Sequence, residues 1–320
     1  MRVMVAGATG AIGTPLIPLL IQAGHSVVAL TRTPSKTESL RQMGAQPVVA
    51  DGLNASAIRA AVFAARPDVI VHQMTALRGA SDLRHFDRSF ALSNRLRTEG
   101  LDHLLAAAEE VGTCRLVAQS FCGWPYARKG GPVKSEEDPL DPTPPAELRR
   151  TLRAIQHLER RLLNASRLAG VVLRYGAFHA RGIGVLDEAV LAQLKRRRFP
   201  LIGSGNGWWS FVHVEDAAAA TALAVECGAP GIYNIVDDEP APVREWLPEL
   251  ANLVAAKPPP RIPAWLAGLL AGKYLVTMMT EVRAGSNAKA KGVLGWQPAH
   301  ASWREGFKSA LPAERPVLRT

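Results

Sequence analysis

The chain has no apolar run long enough to cross a bilayer. The longest candidate, residues 262–270, is short and holds Pro263, whereas a spanning helix needs about 20 apolar residues. No membrane partner is therefore expected. Cysteine is scarce: Cys114, Cys122 and Cys227 are widely spaced and show no metal-ligand pattern. A disulfide framework is excluded, no metal is expected, and the three read as reduced thiols. No secretory leader is expected either, because Met1–Ala6 runs straight into a glycine loop, which makes the cytoplasm the expected location. Internal repeats, zinc-finger spacing and RNA-binding aromatic motifs are all missing, so no nucleic-acid partner is expected.

What remains is a globular composition. Of 320 residues, 48% are hydrophobic and 21% charged, close to soluble averages. That length supports one large α/β domain, or one with a small appendage. The net charge of +10 favours anions such as cofactor phosphates and acidic substrates. The densest cluster, Lys195-Arg196-Arg197-Arg198, follows a helical stretch at 186–194 and suits a helix C-terminus.

Short β-branched runs alternate with helical patterns over the first two-thirds, which predicts a doubly wound, mainly parallel sheet. Strands are expected at 2–6, 26–30, 46–49, 69–72, 115–119 and 171–174, with helices at 14–23 and 101–111. Residues 130–145 form a polar, proline-rich loop, long enough to suggest a functional role. Beyond about residue 180 the pattern loosens. The expected organisation is a dinucleotide-binding domain over 1–180 and a smaller, mainly substrate-side lobe over 181–320, with some segments returning to the sheet.

The most informative motif follows the first strand. Gly7-Ala8-Thr9-Gly10-Ala11-Ile12-Gly13 places three glycines at a three-residue interval between a strand and a helix. Gly7 permits the tight turn, Gly10 lets backbone approach a pyrophosphate, and Gly13 lets helix and sheet pack closely. The anion would then meet free amides at the positive end of the helix. Where NAD sites place an acid, after strand two, this chain reads Thr31-Arg32-Thr33-Pro34-Ser35-Lys36. Arg32 and Lys36 suit a 2′-phosphate, which favours NADP(H) over NAD(H). Glu215 and Asp216 are expected to cap a helix beginning at Ala217.

In this order the motifs resemble the extended and atypical branches of the short-chain dehydrogenase/reductase superfamily, including NAD-dependent epimerase/dehydratase-like proteins. The likeness spans nearly the whole chain and includes Asp51-Gly52-Leu53, Gln73-Met74-Thr75 after strand four, and Leu173-Arg174-Tyr175-Gly176-Ala177-Phe178. It extends to Phe211–Asp216 and Leu294–Pro298. The resemblance implies a Rossmann fold, adenine contacts at Asp51, Gly52 and Leu53, cofactor contacts at Gln73, Met74 and Thr75, a nicotinamide loop with Tyr175 and Phe178, and a homodimer.

Such proteins carry a Ser or Thr after strand five and a Tyr-x-x-x-Lys helix, in which the lysine lowers the tyrosine pKa for proton transfer. Ser120 fits the first position. Counting back from Glu159 puts Ile155 at the lysine and Thr151 at the tyrosine, and counting from Gly100 puts Arg97 at an expected asparagine. Two readings follow. Tyr126, six residues after Ser120, is a relocated acid polarised by Arg97 or a nearby basic residue, or else one aromatic wall of the pocket. Alternatively, the protein binds NADP without turnover, as a sensor that regulates a partner. His72 and His213 read as structural, while His179 reads as a proton donor or a packing residue. Trp124, Tyr126, Tyr175, Phe178, Trp208 and Trp209 are expected around a flat or apolar substrate. The expected activity is NADP(H)-dependent reduction of a carbonyl or activated double bond in a small organic molecule, with nucleotide-sugar epimerase or dehydratase as the alternative enzyme.

Overall fold

The computed structural model of the protein describes residues 1–76 and 86–311. Seven parallel strands make the main sheet: β1 (Arg2–Ala6), β2 (Ser26–Thr31), β3 (Gln46–Val49), β4 (Val69–His72), β5 (Arg115–Phe121), β6 (Ala169–Tyr175) and β7 (Gly231–Ile235). Their lateral order is β7-β6-β5-β4-β1-β2-β3. The chain moves one way from β1 to β3 and then crosses to β4, so a crevice opens between the carboxyl ends of β1 and β4.

Alternation along each strand feeds two separate cores. Val3 and Val5 of β1 face Leu16, Ile17 and Leu20 of α1 (Gly13–Gln22) and the alanines of α5 (Val214–Glu226). Met4 and Ala6 face the opposite core. That core is built by α2 (Ala55–Ala65), α3 (Leu101–Val111) and α4 (Arg149–Leu163). The doubly wound expectation holds. Strand β7, which the sequence reading did not single out, comes from residues beyond 180 and extends the sheet past β6.

The C-terminal part adds small sheets. Phe211–His213 pairs in parallel with Ala177–Ala180, and Trp208–Trp209 pairs antiparallel with Ala241–Pro242. A third aromatic core around Trp246, Trp303, Phe211 and Phe307 lies beneath them. The loop at 130–145 is pinned on several sides. Arg128 pairs with Asp141 at 2.9 Å and with Glu281, Lys134 pairs with Asp138 at 3.0 Å, and residues 133–134 pair with 284–285. No helix among the described residues is long and apolar enough to cross a membrane.

The start of α5 departs from expectation. The helix begins at Val214, and its cap is His213, whose Nδ1 accepts from the Glu215 amide at 3.3 Å. Asp216 is instead buried, and its carboxylate accepts from the amides of Ala299 (2.8 Å) and His300 (2.9 Å) and lies 3.1 Å from His300 Nδ1. A carboxylate at the first turn suits the helix dipole, and here it also ties the C-terminal segment to the sheet. Removing it strands two donors, so Asp216→Ala should cost about 3 kcal/mol in urea denaturation. A loss below about 0.5 kcal/mol would show that the tie carries no weight.

Candidate active site

The crevice begins at the glycine loop. Gly7 has φ +97°, and a Cβ there would come within 2.6 Å of the Gln73 backbone. A Cβ at Gly13 would lie 2.4 Å from the Gly7 carbonyl oxygen, so this turn has room for hydrogen only. Helix α1 has no side-chain cap and no acid in its first turn. Thr14 and Leu16 already donate to the carbonyls of Gly10 and Ile12, and Gly10 to that of Gly7, so among the described residues the amides left as a cradle for a pyrophosphate are those of Thr9, Ala11, Ile12 and Gly13. This cradle is the feature of the structure that fits a dinucleotide.

Around it stand the other residues read from the sequence. Arg32 and Lys36 are exposed after β2 and form no ion pair among the described residues. Asp51 accepts from the Leu53 amide at 3.0 Å, and Gly52 packs against Met74 and Leu96. Met74 is buried and Thr75 half-buried beyond β4. The Gln73 amide group donates to the Tyr175 hydroxyl at 2.9 Å, and that hydroxyl lies 2.7 Å from Thr221 of α5. Burial raises the Tyr175 phenol to about 12, its hydrogen bonds notwithstanding. Its ring pairs with Phe178 at 5.5 Å.

On the opposite face of the sheet, three neighbouring strands align Ser120, Arg174 and Asn234 in one register row. Glu159 of α4 projects onto that row. Arg174 donates to both of its oxygens, at 2.8 and 2.6 Å, and Ser120 Oγ donates to Oε1 at 2.7 Å. Arg174 also donates to the Tyr126 hydroxyl at 3.0 Å, which in turn donates to Asn234 at 2.7 Å. Tyr126 is wholly enclosed. Burial, assisted by Cys122, pushes its phenol well above the usual tyrosine range despite the bond it accepts from Arg174 and the one it donates to Asn234. That is the opposite direction from the lowered pKa a proton-transferring phenol needs. The basic partner of Tyr126 is Arg174 rather than Arg97, which lies against Asn94 at 3.3 Å.

At the positions counted from Glu159, Thr151 Oγ1 donates to Asp87 at 2.6 Å and accepts from Asn94 at 2.9 Å. Asp87 also takes the amides of Arg150 and Thr151, capping α4 from outside. Ile155 packs in an apolar cluster with Phe86, Trp124, Leu148, Leu152, Tyr274 and Met278. In it Phe86 stacks on Phe90 at 4.0 Å and meets Trp124 at 5.9 Å and Tyr274 at 4.8 Å.

The six aromatics grouped from the sequence therefore separate. Trp124 and Trp209 join this cluster, Tyr175 and Phe178 belong to the α1–α5 side, and Tyr126 sits in the polar row. Trp208 stands apart from them, in the short antiparallel pair with Pro242. Asp87 and Asn94 were missed because nothing local marks them; Glu159 and Arg174 were visible only as fragments of resembling segments.

Among the histidines, His72 is buried. Its Nδ1 accepts from the Met74 amide, so the neutral ring donates from Nε2 to the Leu96 carbonyl at 3.1 Å, and burial pulls its pKa down to about 4. His213 stacks on His300 at 3.8 Å, and their nitrogens lie within 4.8 Å of a Glu215 oxygen. Face-to-face rings aim their nitrogens side by side, a poor arrangement for one shared ion.

A family match covers residues 3–236 and is described as the NAD dependent epimerase/dehydratase family. The chain belongs to that family. A 3-diazoavenalumate denitrifying reductase of a Streptomyces species is 44% identical, over 96% of this chain and 99% of its own. The 2-alkyl-3-oxoalkanoate reductase of Stenotrophomonas maltophilia is 29% identical over 80% of this chain and 76% of its own. In fold, the chain is similar to UDP-glucose 4-epimerase from Thermotoga maritima, with a TM-score of 0.77, 22% identity and 97% of both chains covered. This is an NAD(P)-linked reductase of the epimerase/dehydratase family acting on a small molecule.

His179 yields a test. It is fully buried, neither ring nitrogen has a hydrogen-bond partner among the described residues, and burial, with His213 and His300 adding to it, lowers its pKa to about 3. Such a histidine is neutral in the fold and takes up a proton on unfolding. The stability it allows is complete above its ordinary pKa of 6.5 and is lost as pH falls toward the folded value. His179→Leu should match the wild type near neutral pH and lose about 2 kcal/mol less on acidification to about pH 4.5. Parallel pH–stability curves for the two proteins would refute this.

Proposed function

We propose that the chain uses NADPH to deliver hydride to a planar aromatic electrophile that needs no proton from the protein, an aryl diazo compound being the substrate class. One observation carries this reading: the hydroxyls of Ser120, Thr151 and Tyr126 are already donated to Glu159, Asp87 and Asn234. None of the four tyrosines has a lysine four positions later. A ketone takes hydride at carbon and a proton at oxygen, so its reduction calls for an acid. An arenediazonium takes hydride alone: a C–H bond forms, the C–N bond breaks and dinitrogen leaves. The bound nicotinamide would supply that hydride.

The chain's own residues supply orientation and dryness. The uncapped start of α1 would hold the diphosphate, and the mutually packed rings of Phe86, Phe90, Trp124 and Tyr274 would give the substrate a flat apolar wall. The denitrifying reductase at 44% identity supports this substrate class. Ketone reduction is the second reading, favoured by the likeness to the oxoalkanoate reductase; it requires Ser120 to leave Glu159. Epimerase or dehydratase chemistry is disfavoured by the missing Tyr–Lys pair, and a sensor would bind cofactor without turnover.

The test uses purified protein, NADPH deuterated at its transferable position and an ortho-hydroxyarenediazonium bearing heavy nitrogen, with an enzyme-free control. Labelled dinitrogen and ring deuterium should appear in equal amounts, while ketones turn over about 100-fold more slowly or worse. Ketone turnover without dinitrogen release would overturn the proposal. Cofactor choice is a separate matter, supported by Arg32, Lys36 and the missing acid after β2. Arg32→Ala should weaken NADPH binding about tenfold and leave NADH binding unchanged; equal losses for both would argue against a 2′-phosphate site.

A further inference from the structure

Arg97 is 4% exposed, and a guanidinium that deep normally faces a carboxylate. None faces this one among the described residues. Among the described residues its one hydrogen bond is the long one from Nη1 to Asn94 Oδ1 at 3.3 Å, and Nε has no partner there. The neighbouring groups are spoken for. His72 is neutral with both nitrogens engaged, and Asp87 accepts three bonds from Arg150 and Thr151 at the head of α4. Burial alone pulls the Arg97 pKa down to about 10, so the side chain is still a cation near neutral pH. The backbone here is one turn of π-helix, Leu96–Gly100, a feature that recurs at functional sites.

Through Asn94 the guanidinium is linked to Thr151, and its charge is felt by His72 at the carboxyl end of β4. It thus lies between the cofactor crevice and the start of α4. A fully partnered arginine would be structural. One buried with donors to spare is a half-built ion pair.

We infer that Arg97 is the anion receptor of the substrate site and pairs with an anionic oxygen, carboxylate or phenolate, of the aromatic substrate. A planar two-donor fork matches such an oxygen group. The paired charge would replace the missing carboxylate and fix the ring's direction against the aromatic wall. This inference rests on the reductase reading, since it places the ligand in that site, but its test needs no turnover.

Binding of cinnamate and of neutral methyl cinnamate to the full chain is measured by calorimetry, with NADP⁺ binding measured alongside. Cinnamate should bind the wild type about 30-fold more tightly than the ester. Arg97→Met should erase that preference, Arg97→Lys should restore part of it, and NADP⁺ affinity should stay within about threefold. Without ligand, Arg97→Met should melt at or above the wild-type temperature, because it removes an uncompensated buried charge. Three results would overturn the inference: a preference that survives in Arg97→Met, a loss of NADP⁺ binding that marks Arg97 as a cofactor-phosphate ligand, or a large fall in melting temperature that marks it as structural. A failure of NADPH-dependent dinitrogen release would touch the reductase reading and leave these binding results standing.

Discussion

The pairing of Glu159 with Arg174 is the constraint on which the site's geometry turns. Both groups are almost fully buried, so neither tolerates loss of the other. The pair fixes how α4 lies on the sheet, because Glu159 comes from the helix and Arg174 from β6. That decides what the head of the helix presents: Thr151 to Asp87 and Asn94, and Ile155 to the aromatic cluster. The pair also claims the Ser120 proton and, through Arg174, sets Tyr126 against Asn234.

Two faces of one sheet consequently carry different chemistry. The α1–α5 side is mainly apolar, its polar groups being the Gln73–Tyr175–Thr221 chain of hydrogen bonds, Gln119, and Arg115, which donates to carbonyls at the end of α5. The other side carries the charged row. The glycine cradle opens at the strand ends between them, so a dinucleotide laid across the crevice would have a quiet apolar wall on one side and fixed charges on the other. Fixed charges in a dry site act strongly, because solvent does not relax around them.

Much of the fold was legible because it is local. Alternation in Val3–Ala6 and Val69–His72 mirrors the two cores, and Gly10 and Gly13 answer to backbone contacts within the loop itself, whereas Gly7 lies against the distant Gln73 backbone. What escaped was set at long range. Strand β7 has a readable pattern, Gly-Ile-Tyr-Asn-Ile, but its place beside β6 depends on a crossover that no short window contains. The capping of α5 was misread because Asp216 serves residues 299 and 300, more than eighty positions away. Tyr126 stood at the right distance from Ser120 in the chain, yet its direction follows from Arg174 and Asn234, which only strand register brings alongside. Arg97 was noticed as a departure from a family pattern. That no counter-charge faces it among the described residues is visible only in three dimensions.

The stitch at Asp216 has a consequence for how the molecule opens. Helix α5 supplies Thr221 to the tyrosine behind the cofactor crevice, and the same helix is moored to the segment around Trp296 and His300. The segment at 296–300 and the floor of the crevice should therefore open together as one cooperative unit. In hydrogen exchange, the amides of Ala299 and His300, though far along the chain and outside any helix or strand, should be protected like those of α5 itself.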